Sequence, residues 1–192
     1  MIVIGGSLGG SDALGEILRH LPASFSLPIA VVLHRHRDSD GLLLPVLQRC
    51  TTLPVQEVED KDPIKAGRVY LCPADYHLMI EADYFALSTD DPVNFARPSI
   101  DMLFESAAEW RREAVIAIVL SGGGSDGSTG AKLVHDRRGI VIVQDPATAE
   151  GTWMPAAAIQ ASQTRHVLSL KQIALGLIRL ARLRVSRPDP AS

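Results

Sequence analysis

The sequence predicts a three-layer α/β/α fold built on a mostly parallel, doubly wound (Rossmann-like) sheet, with one antiparallel β-hairpin attached. Three observations predict it. Apolar runs without polar alternation, such as Pro28–Leu33 and Ala114–Leu120, read as strands buried on both faces, the habit of parallel sheets. A further run, Met1–Ile4, is followed by apolar residues at spacings of three and four, Ala13, Leu14, Ile17, Leu18 and Leu21, so strand gives way to helix. Glycines and unusual polar residues gather where these runs end, and open α/β sheets place their chemistry outside the carboxyl ends of strands.

The elements run in order along the chain. Met1–Ile4 is the first strand, and Gly5-Gly6-Ser7-Leu8-Gly9-Gly10 breaks it before the first helix. Pro22 and Pro28 bracket a loop that leads to the second strand, which ends at His34-Arg35-His36-Arg37-Asp38. Asp40 is expected to cap a second helix ending near Gln48. Residues 53–90 read as an antiparallel appendage. Leu53-Pro54-Val55 and Val69-Tyr70-Leu71 are short apolar patches there, and Leu78–Ile80 and Tyr84–Leu87 fit a hairpin around Glu81-Ala82-Asp83. Ser99, within Arg97-Pro98-Ser99-Ile100-Asp101, is the expected N-cap of a helix through Leu103, Phe104, Ala107 and Trp110. Ala114–Leu120 is the strongest strand and runs into Ser121-Gly122-Gly123-Gly124-Ser125-Asp126-Gly127, with a helix from Ser128 to Val134 behind it. Ile140–Val143 is another strand, Met154-Pro155 opens a short helix, Val167-Leu168 is a last strand, and Leu170–Val185 is an amphipathic helix. One domain over residues 1–185 and a flexible tail over 186–192 are expected.

The length of 192 residues suits one domain with a sizeable core, and a net charge of -3 gives no general signal for nucleic acid. Cys50 and Cys72 lack metal-ligand or disulfide-framework spacing and read as small buried residues of a reducing cytoplasm. No apolar run approaches the roughly 18 residues needed to span a bilayer, and no basic region precedes a signal-like segment. A cytoplasmic protein with no direct membrane insertion is expected. No Asp/Glu/His cluster has metal-ligand spacing, so neither a metal nor a cofactor is expected.

The first turn admits three readings. A dinucleotide cradle wants Gly-x-Gly-x-x-Gly, but Ser7 stands at the third position counted from Gly5, Leu8 fails counted from Gly6, and no P-loop lysine is present. A nucleophile elbow wants Gly-x-Ser-x-Gly, which residues 5–9 satisfy. In that reading Ser7 sits at a helix N-terminus, where free N–H groups favour negative charge, and the Leu8 amide is a candidate oxyanion donor. The third reading makes Ser7 only the cap of a βα turn.

His34 and Asp126, at two further strand ends, complete the residue types of a serine hydrolase. A hydroxyl is a weak nucleophile until a base takes its proton, histidine is the natural base near neutral pH, and a carboxylate fixes the tautomer of that histidine. Gly122, Gly123 and Gly124 carry no side chains, so their amides are expected to help Leu8 form an oxyanion hole. Each residue has a plainer reading: a structural histidine at 34, an N-cap for the next helix at 126, with His36 a substitute for His34 and His77 one more loop histidine.

With these residues laid out, the chain resembles the catalytic domain of the CheB chemoreceptor glutamate methylesterases, over about residues 2–170. The resemblance rests on Ile4-Gly5-Gly6-Ser7-Leu8-Gly9-Gly10, Val31 to His34, Gly67-Arg68-Val69-Tyr70-Leu71-Cys72-Pro73 with His77, Arg97-Pro98-Ser99-Ile100-Asp101 with Leu103-Phe104, Leu120 to Gly130, and Met154-Pro155. It implies hydrolysis of glutamate γ-methyl esters on receptor helices with release of methanol, and deamidation of receptor glutamines. By position it implies Ser7 as nucleophile, His34 as general base and Asp126 as its orienting partner, with Leu8, Gly122, Gly123, Gly124 and Met154 lining the oxyanion and substrate site. Leu8 replaces the usual threonine, His34-Arg35-His36 the usual His-Met-Pro, and Gly123 the usual methionine, all in the expected substrate pocket. The family's N-terminal receiver domain has no counterpart in the sequence, so a separate regulatory or receiver protein joins the cytoplasmic helices of methyl-accepting receptors among the expected partners. Arg35 and Arg37 are candidates for docking an acidic receptor helix. The rival readings are a non-catalytic CheB-like binding domain and a nucleotide-binding Rossmann-like domain.

Overall fold

Ile2–Gly6 (β1) is buried along its whole length and forms the middle strand of the sheet. A strand covered on both faces needs apolar side chains on both, and Ile2, Val3 and Ile4 supply them. Each such side chain contributes about 1.5–3 kcal/mol by leaving water. Ile29–Leu33 (β2) lies beside β1 in parallel, with Val69–Leu71 (β4) and Val55–Glu57 (β3) further outward. On the other side of β1 run Ile116–Val119 (β7), Ile140–Gln144 (β8) and His166–Leu168 (β9), again parallel. The order β3-β4-β2-β1-β7-β8-β9 reverses direction at β1, which makes its carboxyl end the switch point of the sheet. The computed structural model that shows this describes residues 1–35 and 41–185. The expected cap Asp40, the residues His36, Arg37 and Asp38, and the expected tail over 186–192 lie outside the described residues.

Alternate side chains of each strand feed two separate cores. Ile2, Ile4, Val31 and Ile118 pack under Gly10–His20 (α1), Leu43–Gln48 (α2) and Leu170–Val185 (α6). Val3, Val32, Ala117 and Val143 pack under Ile100–Arg111 (α3), Ser128–Asp136 (α4) and Trp153–Ser162 (α5). The three layers are therefore those the apolar runs predict. The antiparallel part is smaller than expected. Among the described residues only His77–Ile80 (β5) and Phe85–Ser88 (β6) form a hairpin, as a separate two-stranded sheet. β3 and β4, expected within the same appendage, extend the parallel sheet instead. Three-residue strands carry too little periodicity to declare a direction. Cys72 is buried, as expected, whereas Cys50 is half-buried, and both are free. Among the described residues no helix is long and apolar enough to cross a membrane.

The close seat of α3 on β1 depends on a missing side chain. A Cβ built on Gly5 would lie 2.2 Å from Ile100 Cγ2. Gly5→Ala therefore forces α3 off the strand end, and the overpacking should lower the unfolding free energy by about 1–3 kcal/mol. A urea denaturation curve checks this; an unchanged midpoint would contradict the contact.

Candidate active site

The carboxyl ends of β1, β2 and β7 meet at one place, and their hydrogen-bond ladders run past the strands to hold the loops that leave them. The His34 N–H donates to the Gly6 carbonyl at 3.0 Å, one step beyond the Gly6–Leu33 register pair, so Ser7 and His34 stand side by side on neighbouring chains. Adjacent strands lie about 4.8 Å apart, so the two backbones are neighbours at this end of the sheet. On the other side the Ser7 N–H donates to the Ser121 carbonyl at 2.9 Å. Buried Ser121 then ties the turn down: its hydroxyl donates to the Leu8 carbonyl at 2.7 Å and accepts the Gly151 N–H at 2.8 Å, while its own N–H donates to Gln144 Oε1 at 2.8 Å.

Asp126 reaches this site from the loop after β7. Its carboxylate is 4% exposed, yet five groups donate to it. Oδ2 accepts from His34 Nε2 and from the Ile100 N–H, both at 2.7 Å. Oδ1 accepts from the Ser99 hydroxyl at 2.9 Å, the Asp101 N–H at 3.1 Å and the Gly127 N–H at 3.0 Å. Burial alone pushes its pKa up, but the bonds from His34 and from the Ile100 and Asp101 amides outweigh burial and hold it below the ordinary carboxylate range. The group is thus an anion seated on the open N–H groups at the head of α3, a favourable place for negative charge. An ionised Asp126 has no proton to offer. The proton in its bond to His34 is therefore assigned to Nε2, which in a neutral imidazole leaves the lone pair on Nδ1. Among the described residues neither His34 Nδ1 nor Ser7 Oγ has a hydrogen-bond partner, and the two do not bond each other.

Several expectations change in detail. Ser99 is the N-cap residue of α3, but its side chain makes no capping bond and points its hydroxyl at Asp126. Asp126 caps α3 from 26 residues away, rather than serving only the helix directly after it. Gly122 is not a free donor, because its N–H goes to the Gly151 carbonyl at 2.9 Å. Among the described residues the amides of Leu8, Gly123 and Gly124 have no partner, and the space around Gly123 is open. Met154 is fully buried and lies directly behind Gly122, where a Cβ would come 2.6 Å from its sulfur. Arg35 is drawn inward, donating to Glu57 and, at 2.9 Å, to the Cys72 carbonyl, so it is not held out for a partner.

Two contributors escaped the sequence. Asp101, 2% exposed, accepts the Gly130 N–H of α4 at 2.7 Å and the Asn94 side-chain amide at 2.9 Å. Burial, with the nearby charges of Asp126 and Glu105, pushes its pKa up to about 6 against the bonds that favour its anion. Each of α3 and α4 is thus capped by an aspartate belonging to the start of the other. His77 lies in buried β5 rather than on a loop; its Nδ1 accepts the Ser99 N–H at 3.2 Å and its Nε2 faces the Asp91 carbonyl at 3.2 Å. The sequence signal for Asp101 was its place near a helix start in Arg97-Pro98-Ser99-Ile100-Asp101, and that for His77 was its place after Gly67–Pro73.

Comparison with known proteins bears on the sequence and the fold. The family model described as CheB methylesterase matches residues 2–177. A protein of Leptospira interrogans, provisionally named protein-glutamate methylesterase/protein-glutamine glutaminase, is 45% identical over 180 residues, covering 93% of each chain. A protein of the same name, without the qualifier, from Nocardioides is 39% identical over 191 residues; the match takes in 97% of this chain and 52% of that one. The crystal structure of the Thermotoga maritima CheB methylesterase catalytic domain superposes with a TM-score of 0.90 at 36% identity, over 93% of this chain and 97% of that domain. A match running nearly the whole length, in sequence and in fold, means that the chain belongs to the CheB methylesterase family.

Proposed function

We propose that the chain is a serine esterase that removes methyl groups from glutamate γ-methyl esters on the cytoplasmic helices of methyl-accepting chemoreceptors, with deamidation of receptor glutamines by the same steps. The observation that carries this reading is the 2.7 Å bond between His34 Nε2 and Asp126 on the strand end beside Ser7. Residues 1–185 act as one catalytic unit in it. A separate regulatory or receiver protein is the expected controlling partner.

The chemistry is set by the proton positions. Ser7 Oγ attacks the ester carbonyl as His34 Nδ1 takes its proton, and Asp126 steadies the imidazolium that results. The oxyanion of the tetrahedral intermediate takes hydrogen bonds from the unpartnered amides of Leu8, Gly123 and Gly124. Collapse expels methanol, which receives the proton from His34. A water then attacks the glutamyl–Ser7 ester with His34 again as base, the bond to Ser7 Oγ breaks as His34 returns the proton to that oxygen, and the glutamate carboxylate is released. For a glutamine side chain the leaving group is ammonia. The short approach of Ser7 Oγ to His34 Nδ1 forms on substrate binding, as such bonds often tighten only in the loaded site. No metal or cofactor enters any step.

Two predictions test this reading. Methanol release from methylated receptor fragments should fall on the order of a thousandfold or more in Ser7→Ala. Turnover retained in that variant would remove the mechanism. The second concerns pH. Asp101, with its pKa pushed up to about 6, keeps a proton in the folded chain where the unfolded chain has lost it. As pH rises from about 4 to 6 the folded state binds more protons than the unfolded, so the contribution of this group to stability falls across that window. Asp126 has the opposite sign: its depressed pKa gives stability above the ordinary carboxylate range that is lost as pH falls below it. Urea unfolding between pH 4 and 7 should therefore show Asp101→Asn gaining on the wild type as pH rises; parallel curves would contradict the shift.

A further inference from the structure

Large apolar side chains around the proposed esterase site are exposed to solvent. Phe95 is 104% exposed, Trp153 78% and Leu8 57%. Leu8 is the residue after Ser7. Trp153 opens α5, and the next residue, Met154, donates its N–H to the Gly122 carbonyl at 3.0 Å, which places Trp153 beside the glycine loop. Phe95 borders two clefts that both include His34. One, of about 340 Å³, also takes in Gly123 and Asp126. The other, of about 360 Å³, runs along Arg97 and Pro98. Other exposed apolar residues, such as Val46 and Leu175, sit on the outer faces of helices away from these clefts.

The turn under Phe95 is held, not loose. Asn94 and Phe95 both have left-handed backbones, with φ of 51° and 63°. That conformation suits Asn-Gly and penalises a phenylalanine. Val93 and Ala96 close the turn with reciprocal backbone bonds of 3.1 and 2.9 Å, and the Asn94 amide ties it to Asp101, whose own N–H holds Asp126. A strained, tethered turn that presents an aromatic ring to water beside the reacting groups points to a binding role. Among the described residues, the two arginines that line these clefts are already paired. Arg97 is bound to Asp75 and to the Thr89 and Asp90 carbonyls, and Arg35 to Glu57 and the Cys72 carbonyl.

We infer that Phe95 and Trp153 are specificity-determining posts that grip the helix carrying the ester, through apolar side chains three or four residues to either side of the modified glutamate. Those positions share the helix face of the ester, about one 5.4 Å turn away along the axis. An ester presented at Ser7 brings them onto the rim. The inference rests on the esterase reading and deepens it: the triad acts on any accessible ester, and the rim selects the helical protein substrate.

The test compares two substrates in the intact chain. One is a methylated helical receptor fragment; the other is N-acetylglutamate α-amide γ-methyl ester, too small to reach the posts. Phe95→Ala and Trp153→Ala should each lower kcat/KM for the fragment about tenfold or more, mainly through KM. Turnover of the small ester should stay within about twofold of wild type, and Phe95→Leu should recover most of the fragment activity. Equal losses on both substrates, or no loss on the fragment, would overturn the inference while leaving the esterase reading intact. A wild type inert toward both substrates would overturn the esterase reading and this inference with it.

Discussion

A single buried carboxylate organises the active end of this molecule. Asp126 is seated on the N–H groups of Ile100 and Asp101 at the head of α3, receives the Ser99 hydroxyl, and takes the His34 imidazole on the oxygen that also holds Ile100. A lone carboxylate in such a place would pick up a proton to escape the loss of water. Here the donors replace the water, and the anion persists. The same donors aim it. The orientation of His34 therefore depends on the position of a helix, and the position of that helix depends on Gly5, which lets Ile100 sit directly against β1.

The reciprocal arrangement gives this end its rigidity. Asp126, from the loop before α4, caps α3, and Asp101, from the first turn of α3, caps α4. Neither helix can shift without leaving a buried carboxylate or a row of amides unsatisfied, a cost of about 1–3 kcal/mol for each neutral group and more for a charge. Two buried aspartates so close are tolerated because they divide the burden. Asp126 is held ionised by its donors, and Asp101 moves toward the protonated form. Ser121 does the equivalent work on the other side, joining the serine turn, the glycine loop and the approach to α5 through one hydroxyl. The amides of Leu8, Gly123 and Gly124, the donors of the proposed mechanism, are left without partners among the described residues.

Much of this was legible in the chain, and the division has a physical basis. Runs such as Ile29–Leu33 and Ile116–Val119 announce buried parallel strands because both faces must be apolar, and the Gly-x-Ser-x-Gly turn announces a sharp strand-to-helix junction. Those signals are local. The features that stayed hidden depend on partners far along the sequence. Nothing near Ser99 tells that its hydroxyl turns from its own helix to a residue 27 positions away. Nothing near Gly122 shows that its amide is spent on Gly151, nor does the Met154-Pro155 pair show that the methionine is packed behind that glycine. Arg35 reads as a free cation until Glu57 arrives on the edge strand. Strands of three residues, as in β3 and β4, take their direction from the sheet they join.

In the proposed mechanism an ionised Asp126 fixes the proton of His34 on Nε2 and so presents Nδ1 to Ser7. Nitrogen-15 NMR of the imidazole reads this directly in the resting protein. At a pH where the ring is neutral, the account predicts a protonated Nε2 with the downfield proton of a strong hydrogen bond, an unprotonated Nδ1, and loss of that bias in Asp126→Ala. A neutral ring carrying its proton on Nδ1, or one indifferent to the removal of Asp126, would contradict it.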